Sequence, residues 1–433
     1  MSNSSVVILA AGAGTRMKSQ TPKVLHRVSG RAILDYPVLA ALEISDDVQI
    51  VLYHEFDALK AYVDRRFGDA VVCVRQDHEN YPGTAGALKA ASPRYDRVVA
   101  INGDMPLISV DFIKALASRK EDAAIGVFSK LDPFGYGRVI IKDDRVLRIV
   151  EEKDANEAQK KVTTVNGGVY SFSRSFLEEF LPKINAQNAQ NEYYITDLIA
   201  LAAERNKEIS AVWGDEHILS GVNSKSELSE AEAYHQNALK EKLMNAGVAM
   251  RLPETIYIDA NATFEGECVI ENGAVILGKS TIARSVIKAH SVVEDSAIID
   301  SDIGPMAHIR PNSEIKNAHI GNFVETKKAK LNGVKAGHLS YLGDATIDEG
   351  TNIGAGTITC NYDGKDKYQT TIGKNVFIGS DTQLIAPIII PDNVLIGAGT
   401  TVVKNPNEGD LVLSRSEQKS IAGFFFKFFG KKY

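Results

Sequence analysis

The 433-residue chain is poor in cysteine, tryptophan and proline, with 3, 1 and 13 of them. Cys73, Cys268 and Cys360 are odd in number and far apart, which argues against a disulfide framework and a zinc ribbon. No apolar run approaches the roughly 18 residues of a membrane-spanning helix. Nor is there a basic block before the last few residues, and 49 Lys and Arg against 55 Asp and Glu leave a net charge of −6. Nucleic acid is thereby set aside as a partner, because its phosphates are held by clustered Lys and Arg. The opening residues Met1 to Ala10 lack the basic stretch of a secretion signal, so a soluble, cytoplasmic protein is expected. What is present is a globular balance, 44% hydrophobic and 24% charged, in a chain long enough for two or three domains.

The two halves carry different periods. Residues 1–223 alternate short apolar runs with amphipathic stretches. Val6–Ala10, Val48–Tyr53, Ala70–Val74 and Val98–Ile101 read as strands; Ile33–Glu43, Glu55–Phe67 and Thr84–Ala91 read as helices. That alternation predicts an α/β domain around a mostly parallel sheet. Ser224-Lys225-Ser226-Glu227 then reads as a capping box, opening one helix of about 22 residues, roughly 33 Å long. Gly247 stands where a helix stops. Such a helix is either a connector or a packed helix of the first domain.

Residues 248–433 repeat every six. Ile372, Ile378, Leu384, Ile390, Ile396 and Val402 form one series, and Phe264, Ile270, Ile276 and Ile282, then Ile303, Ile309 and Ile315, then Ile347 and Ile353 continue it upstream. A six-residue apolar repeat predicts a parallel β-helix, each prism face a short strand and each ladder of aliphatics pointing inward. Gly373, Gly379 and Gly397 follow ladder residues and are expected at corners needing φ > 0. The segment Asn361 to Tyr368 interrupts the repeat as a polar loop, and solenoid insertions gather on one, often functional, face.

The strand Val6–Leu9 runs into Ala10-Ala11-Gly12-Ala13-Gly14-Thr15-Arg16-Met17, with Pro22-Lys23 beyond. A dinucleotide-binding fingerprint needs glycine where Met17 stands, but such a loop still wraps phosphates with backbone N–H groups, aided by the cations Arg16 and Lys23. Gly83-Thr84-Ala85, Asn102-Gly103-Asp104, Gly135-Tyr136-Gly137-Arg138, Val150-Glu151, Asn166-Gly167-Gly168, Glu192 to Asp197 and Gly221-Val222-Asn223 follow in order. This string resembles the sugar-nucleotidyltransferase signature. With the hexapeptide half behind it, nearly the whole chain resembles the bacterial bifunctional N-acetylglucosamine-1-phosphate uridyltransferase/glucosamine-1-phosphate acetyltransferases.

The resemblance implies a Rossmann-like nucleotidyltransferase domain over 1–223, a linker helix over 224–247 and a left-handed β-helix acetyltransferase domain over 248–433. It implies that Leu9, Ala10, Ala11 and Gly12 hold the uridine end of UTP, that Gln76, Gly83 and Thr84 read the base, and that Arg16 and Lys23 neutralise the triphosphate. Gly137, Glu151 and Asn166 would hold the N-acetylglucosamine, with Asn223 on the nucleotide sugar. Asp104 and Asn223 would bind Mg²⁺, as hard oxygen ligands do. Asn102 stands where the family carries Tyr, and a longer interval separates Gln76 from Gly83 than in the family. Uridyl transfer itself needs no general base, because the attacking sugar phosphate is already anionic; it needs in-line placement and charge neutralisation.

Lys335-Ala336-Gly337-His338-Leu339-Ser340-Tyr341 lies among the rungs. The resemblance makes His338 the general base that deprotonates the sugar ammonium before it attacks the thioester, with Glu325 as its orienter. Arg310, Lys327, Tyr341 and Asn352 would hold the phosphate of glucosamine-1-phosphate. Asn361, Tyr362, Ser380, Ala398 and Arg415 would bind acetyl-coenzyme A. Cys360 reads as a packed small residue. The family further implies a homotrimer, and a product that feeds peptidoglycan and lipopolysaccharide synthesis. A β-helix that serves only to oligomerise, or a non-catalytic scaffold of the same two parts, would not need His338 and the Asn361-Tyr362 loop, nor Arg16, Lys23, Asp104 and Asn223. The tail Phe424 to Phe429 with Lys431 and Lys432 is expected to cap the open end of the β-helix rather than to lie on a membrane.

Overall fold

The computed structural model describes residues 4–142, 145–188 and 190–430. The chain divides into two compact units, Met1–Gln236 and Asn237–Tyr433. The first is built on strands β1 (Ser4–Ala10), β2 (Val48–Leu52), β3 (Val72–Arg75), β4 (Arg97–Asn102), β5 (Ala123–Ser129), β6 (Arg138–Lys142), β7 (Arg145–Val150), β8 (Thr164–Ser173) and β9 (Ile209–Trp213). They form one sheet in the order β9-β5-β8-β4-β1-β2-β3, with the β6-β7 hairpin attached through β8. The pairs β1-β2, β1-β4, β2-β3 and β5-β9 are parallel, and β8 runs antiparallel to both β4 and β5.

Strand alternation sorts side chains to two cores. Val6 and Ile8 of β1 pack with Leu34 and Val38 on one face, Val7 and Leu9 with Leu88 and Leu198 on the other. Both faces being covered, β1 is an unbroken buried apolar run, as central strands of such sheets are. The neighbouring parallel strands β1 and β4 therefore end together and present Ala10 to Gly12 and Asn102 to Asp104 at one sheet edge, where open α/β sheets bind ligands.

The helix Lys225–Asn245 contains the boundary between the units. In the first unit its Glu232, His235 and Gln236 converge on Ser29. In the second, Leu239 and Leu243 pack on the core and Lys240 donates to the carbonyls of Pro253 and Ile256. Gly247 follows the helix with φ 100°.

The second unit is a left-handed parallel β-helix of three sheets with 10, 9 and 8 strands. Register stacks the aliphatics in ladders: Ile372 on Ile390 at the interval of three six-residue rungs, Ile282 on Ile298 and Ile287 on Ile303 at a shorter interval, and Ile353 on Ile378 at a longer one that spans the inserted loop. Two threonines interrupt one ladder, and Thr359 is satisfied inside by both the N–H and the carbonyl of Gly343. The loop 361–368 accounts for a widened turn, since Leu331 pairs with Ile347 but Ile347 pairs next with Ile372.

Two expectations are corrected. Gly373, Gly379 and Gly397 are not left-handed; a Cβ on Gly379 would lie 2.4 Å from the nitrogen of Ala398, and one on Gly397 2.3 Å from Leu413. At Gly373 and Gly379 glycine is required because the backbone of the next turn passes too close, whereas at Gly397 it leaves room for the Leu413 side chain. The left-handed corners are held by other glycines and often by Asn or Asp, including Asn312, Asn317, Asn375 and Asn393, which tolerate that conformation. The second correction concerns the tail. Phe424–Phe429 forms a short helix whose five phenylalanines are 44–69% exposed and contact one another. Among the described residues, the partly buried ones packed on the β-helix core include Leu239, Leu243, Phe264 and Val412 and no residue of the tail. Lys431 and Lys432 lie outside the described residues. Among the described residues no helix is long and apolar enough to cross a membrane.

Candidate functional site

Two cavities meet at the C-terminal edge of β1 and β4. The larger, about 530 Å³, is lined by Leu9, Ala10, Ala11 and Gly12, by Gln76, Gly83 and Thr84, and by Lys23 and Asp104. The second, about 290 Å³, is lined by Arg16, Gly137, Glu151, Asn166 and Asn223. Leu9, Thr84, Asn102 and Asp104 border both. Every residue singled out for the first site thus faces one of two adjoining spaces, and Asp104 stands at their junction.

Local geometry explains the motifs. Gly14 is left-handed at φ 61°, and a Cβ there would meet the Cβ of Lys23 at 2.6 Å, so glycine lets the lysine approach the loop. Gly83 has φ 92° and no room beside the carbonyl of Tyr193. Gln76 is buried, and its amide donates to the carbonyls of Tyr81 (2.9 Å) and Gly83 (3.0 Å), fixing the loop that forms the cavity wall. The Thr84 hydroxyl accepts the N–H of Ile195. In the second cavity Asn166 accepts the N–H of Gly168 and donates to the Tyr170 hydroxyl. Glu151 accepts from the Thr196 hydroxyl at 3.0 Å, and burial pushes its carboxyl above the ordinary range. Asn102 borders both cavities, and its amide fills the space that a Cβ on Gly168 would occupy.

The acidic centre is tightly framed. The Lys23 ammonium lies 2.5 Å from Asp104 Oδ2 and 3.1 Å from Asn223 Oδ1. Asp104 Oδ1 is buried with no hydrogen-bond partner. The helix cap reaches this site: Glu227 accepts the backbone N–H of Asn223 at 2.7 Å, while Ser224 accepts the N–H of Glu227. An orphaned carboxylate oxygen beside an amide oxygen is a donor set that suits a hard cation.

Several contributors escaped sequence reasoning. His54 and His78 line the larger cavity, and His78 stacks on Tyr53 at 4.3 Å. The long interval between Gln76 and Gly83 was the visible signal for His78. Buried Arg138 pairs with Glu152 at 2.6 Å and also bonds the carbonyl of Tyr136. Glu152 in turn accepts the N–H of Gly135, so this pair pins the loop lining the second cavity.

On the β-helix, the register sorts the remaining residues. Ala336, Ile353, Ile378 and Ile396 form one ladder, so His338, Ser380 and Ala398, each two residues further on, share one exposed corner. Arg310 and Lys327 follow stacked residues of the adjacent sheet, and Glu325 pairs in register with Tyr341. Asn352 stands on the face that carries Lys335 and Phe377. Asn361 is buried and donates to Asp344, while Tyr362 is exposed and donates to the carbonyl of Gly364. Arg415 lies beyond the last strand, exposed.

Glu325 does not orient His338. Its carboxylate binds Arg310 at 2.7 Å, and among the described residues the His338 ring makes no hydrogen bond. Lys367 of the inserted loop was also missed. Together with Arg310 it holds the Lys327 ammonium below the usual lysine range by charge repulsion, and three cations so placed invite a phosphate. Burial pushes the Cys360 thiol up, away from reactivity.

Comparison with known proteins agrees with this division. Residues 6–167 match the MobA-like NTP transferase domain and residues 369–404 the bacterial transferase hexapeptide (six repeats). The chain is 55% identical to the bifunctional protein GlmU of Aliarcobacter butzleri over 100% of both chains. It is 56% identical to the protein of that name from a Nitratiruptor species, and 53% to that from a Sulfurovum species, each over 99% of both chains.

Proposed function

The chain belongs to the family of the bifunctional protein GlmU, and we propose that its two halves divide the family's two transfers between them. It is an enzyme of UDP-N-acetylglucosamine synthesis, a glucosamine-1-phosphate N-acetyltransferase and an N-acetylglucosamine-1-phosphate uridyltransferase. In this reading residues 1–223 carry uridyl transfer, 224–247 link, and 248–433 carry acetyl transfer.

For uridyl transfer, the larger cavity takes UTP and the smaller one the sugar phosphate. The observation that carries this is Asp104 at their junction, where the α-phosphorus and the attacking oxygen must meet. Asp104 and Asn223 would hold Mg²⁺, which would offset charge on the phosphates. Leu9 to Gly12 and Gln76, Gly83 and Thr84 enclose the nucleoside; Gly137, Glu151 and Asn166 hold the sugar; Arg16 and Lys23 bind phosphate oxygens. A phosphate oxygen of N-acetylglucosamine-1-phosphate attacks, the bond to the β-phosphate breaks, and pyrophosphate leaves with the charge.

For acetyl transfer, Arg310, Lys327, Tyr341 and Asn352 bind glucosamine-1-phosphate, and Asn361, Tyr362, Ser380, Ala398 and Arg415 bind acetyl-coenzyme A. His338 Nδ1 or Nε2 accepts a proton from the sugar ammonium; the amine then attacks the thioester carbonyl and coenzyme A leaves as the thiol. These residues lie on outer faces and one corner of a convex prism, so the opposite wall comes from other copies in a homotrimer. Two apolar rows support that surface: Phe377, Leu395 and Leu411 in register on one face, and Met306, Phe323 and Leu339 along the corner beside His338, all exposed. The substrates place the enzyme in the cytoplasm.

The test is to supply the purified chain with glucosamine-1-phosphate, acetyl-coenzyme A, UTP and Mg²⁺, and to follow coenzyme A and pyrophosphate separately, with light scattering for mass. Both products from a trimer are expected. A monomer that releases coenzyme A would overturn the shared site, and release of only one product would overturn the division of labour.

A further inference from the structure

Lys23 occupies a place that phosphate binding alone does not explain. Its Nζ lies 2.5 Å from Asp104 Oδ2 and 3.1 Å from Asn223 Oδ1. Both charged side chains are about 15% exposed, at 14% and 15%. The two acceptors are the oxygens assigned above to a divalent cation, and they come from chain positions 81 and 200 residues away from the lysine. The placement is built rather than incidental. Left-handed Gly14 admits the stem of Lys23, Glu227 fixes the backbone of Asn223, and Gly221 leaves Asp104 Oδ1 room without offering it a donor.

We propose that Lys23 is the resident cation of the metal seat. In the nucleotide-free enzyme its ammonium offsets the Asp104 charge and holds the two oxygen ligands in place. A divalent ion binds such oxygens at about 2.1 Å, so it would share Asp104 with a second cation a few ångströms away, and the repulsion disfavours it. Triphosphate oxygens entering from the larger cavity give Lys23 an alternative anion. The lysine swings to them and vacates the seat. Metal and nucleotide binding are thereby coupled through one side chain, and metal alone binds weakly. The proposal rests on the reading of Asp104 and Asn223 as metal ligands.

The experiment is Mn²⁺ binding to the full-length protein without nucleotide, read by the electron paramagnetic resonance signal of free Mn²⁺. Lys23→Met, which removes the charge and keeps the length, is expected to bind Mn²⁺ roughly tenfold more tightly than the parent, within the usual range of a coupling between sites. Lys23→Arg, which keeps the charge, should not. Equal or weaker binding by Lys23→Met, with binding still abolished by Asp104→Ala, would overturn the role of Lys23 alone. Undiminished binding in Asp104→Ala would overturn the metal-seat reading itself. If Lys23→Met does not fold, acetylation of Lys23 by acetic anhydride in the parent decides. Saturating Mn²⁺ should raise it several-fold as the amine is expelled, and no change would refute the proposal.

Discussion

Replacing Gly221 by alanine adds a single methyl group at the junction of the two cavities. That methyl would lie 2.9 Å from Asp104 Oδ1, 3.2 Å from its Cγ and 3.3 Å from Oδ2, where ordinary contact begins at 3.4 Å. Gly221 is outside the left-handed region, so backbone strain plays no part. Nor can the main chain of Asp104 retreat, because its carbonyl accepts the N–H of Val222 at 2.9 Å. The carboxylate itself must move, by about half an ångström, to recover van der Waals distance. A displacement of about 1 Å at a reacting centre costs on the order of a hundredfold in rate, so pyrophosphate release should fall roughly 10- to 100-fold. Coenzyme A release by the same preparation should stay within about twofold, since the second site lies on the β-helix. Unchanged pyrophosphate release would refute the assignment of Asp104, and equal loss of both products from a folded variant would refute the separation of the sites.

Burial holds the His235 pKa down at about 4, against 6.5 ordinarily. The unfolded chain therefore binds a proton that the folded chain refuses between those values. Stability is complete above pH 6.5 and is lost as pH falls towards 4, by at most about 3 kcal/mol; His235→Asn should flatten that limb in urea unfolding curves. Gly379→Ala sets a Cβ against the backbone of the next turn and should destabilise the β-helix by roughly 2 kcal/mol, seen as a lower thermal midpoint. Lys367→Ala removes one of three clustered cations and should raise KM for glucosamine-1-phosphate roughly tenfold with little change in kcat. A kcat effect without a KM effect would count against a phosphate contact.

The β-helix was legible because its determinant is local: inward aliphatics recur at six positions, and Ile378 stacks on Ile396 and Ile372 on Ile390 three such rungs on. What the glycines do was not, since the close passage of Ala398 over Gly379 exists only after the turns stack. The first site was legible as a set of motifs, each a short loop after a strand. Their pairing was hidden, because Lys23 meets Asp104 and Asn223 across long chain separations. Glu325 was assigned to the wrong partner because two candidates lie at similar chain distances, and only the stacking of turns decides between them. Arg310 sits one turn below it, 15 residues away, and offers a charged fork that a histidine at the corner does not. Periodicity alone does not reveal that β8 runs antiparallel to β4, β5 and β6, nor that β6 and β7 form an antiparallel hairpin. The phenylalanines of the tail suggest burial by composition, yet the core they were expected to cover ends instead at Val412.

The most direct test of the account pairs two variants of the full chain, Asp104→Ala and His338→Ala, each assayed for both products. Asp104→Ala is predicted to lose pyrophosphate release by roughly a thousandfold while coenzyme A release persists, and His338→Ala to do the reverse, on the scale typical of a lost metal ligand or general base. A folded variant of either kind that loses both activities together, or neither, would contradict the account.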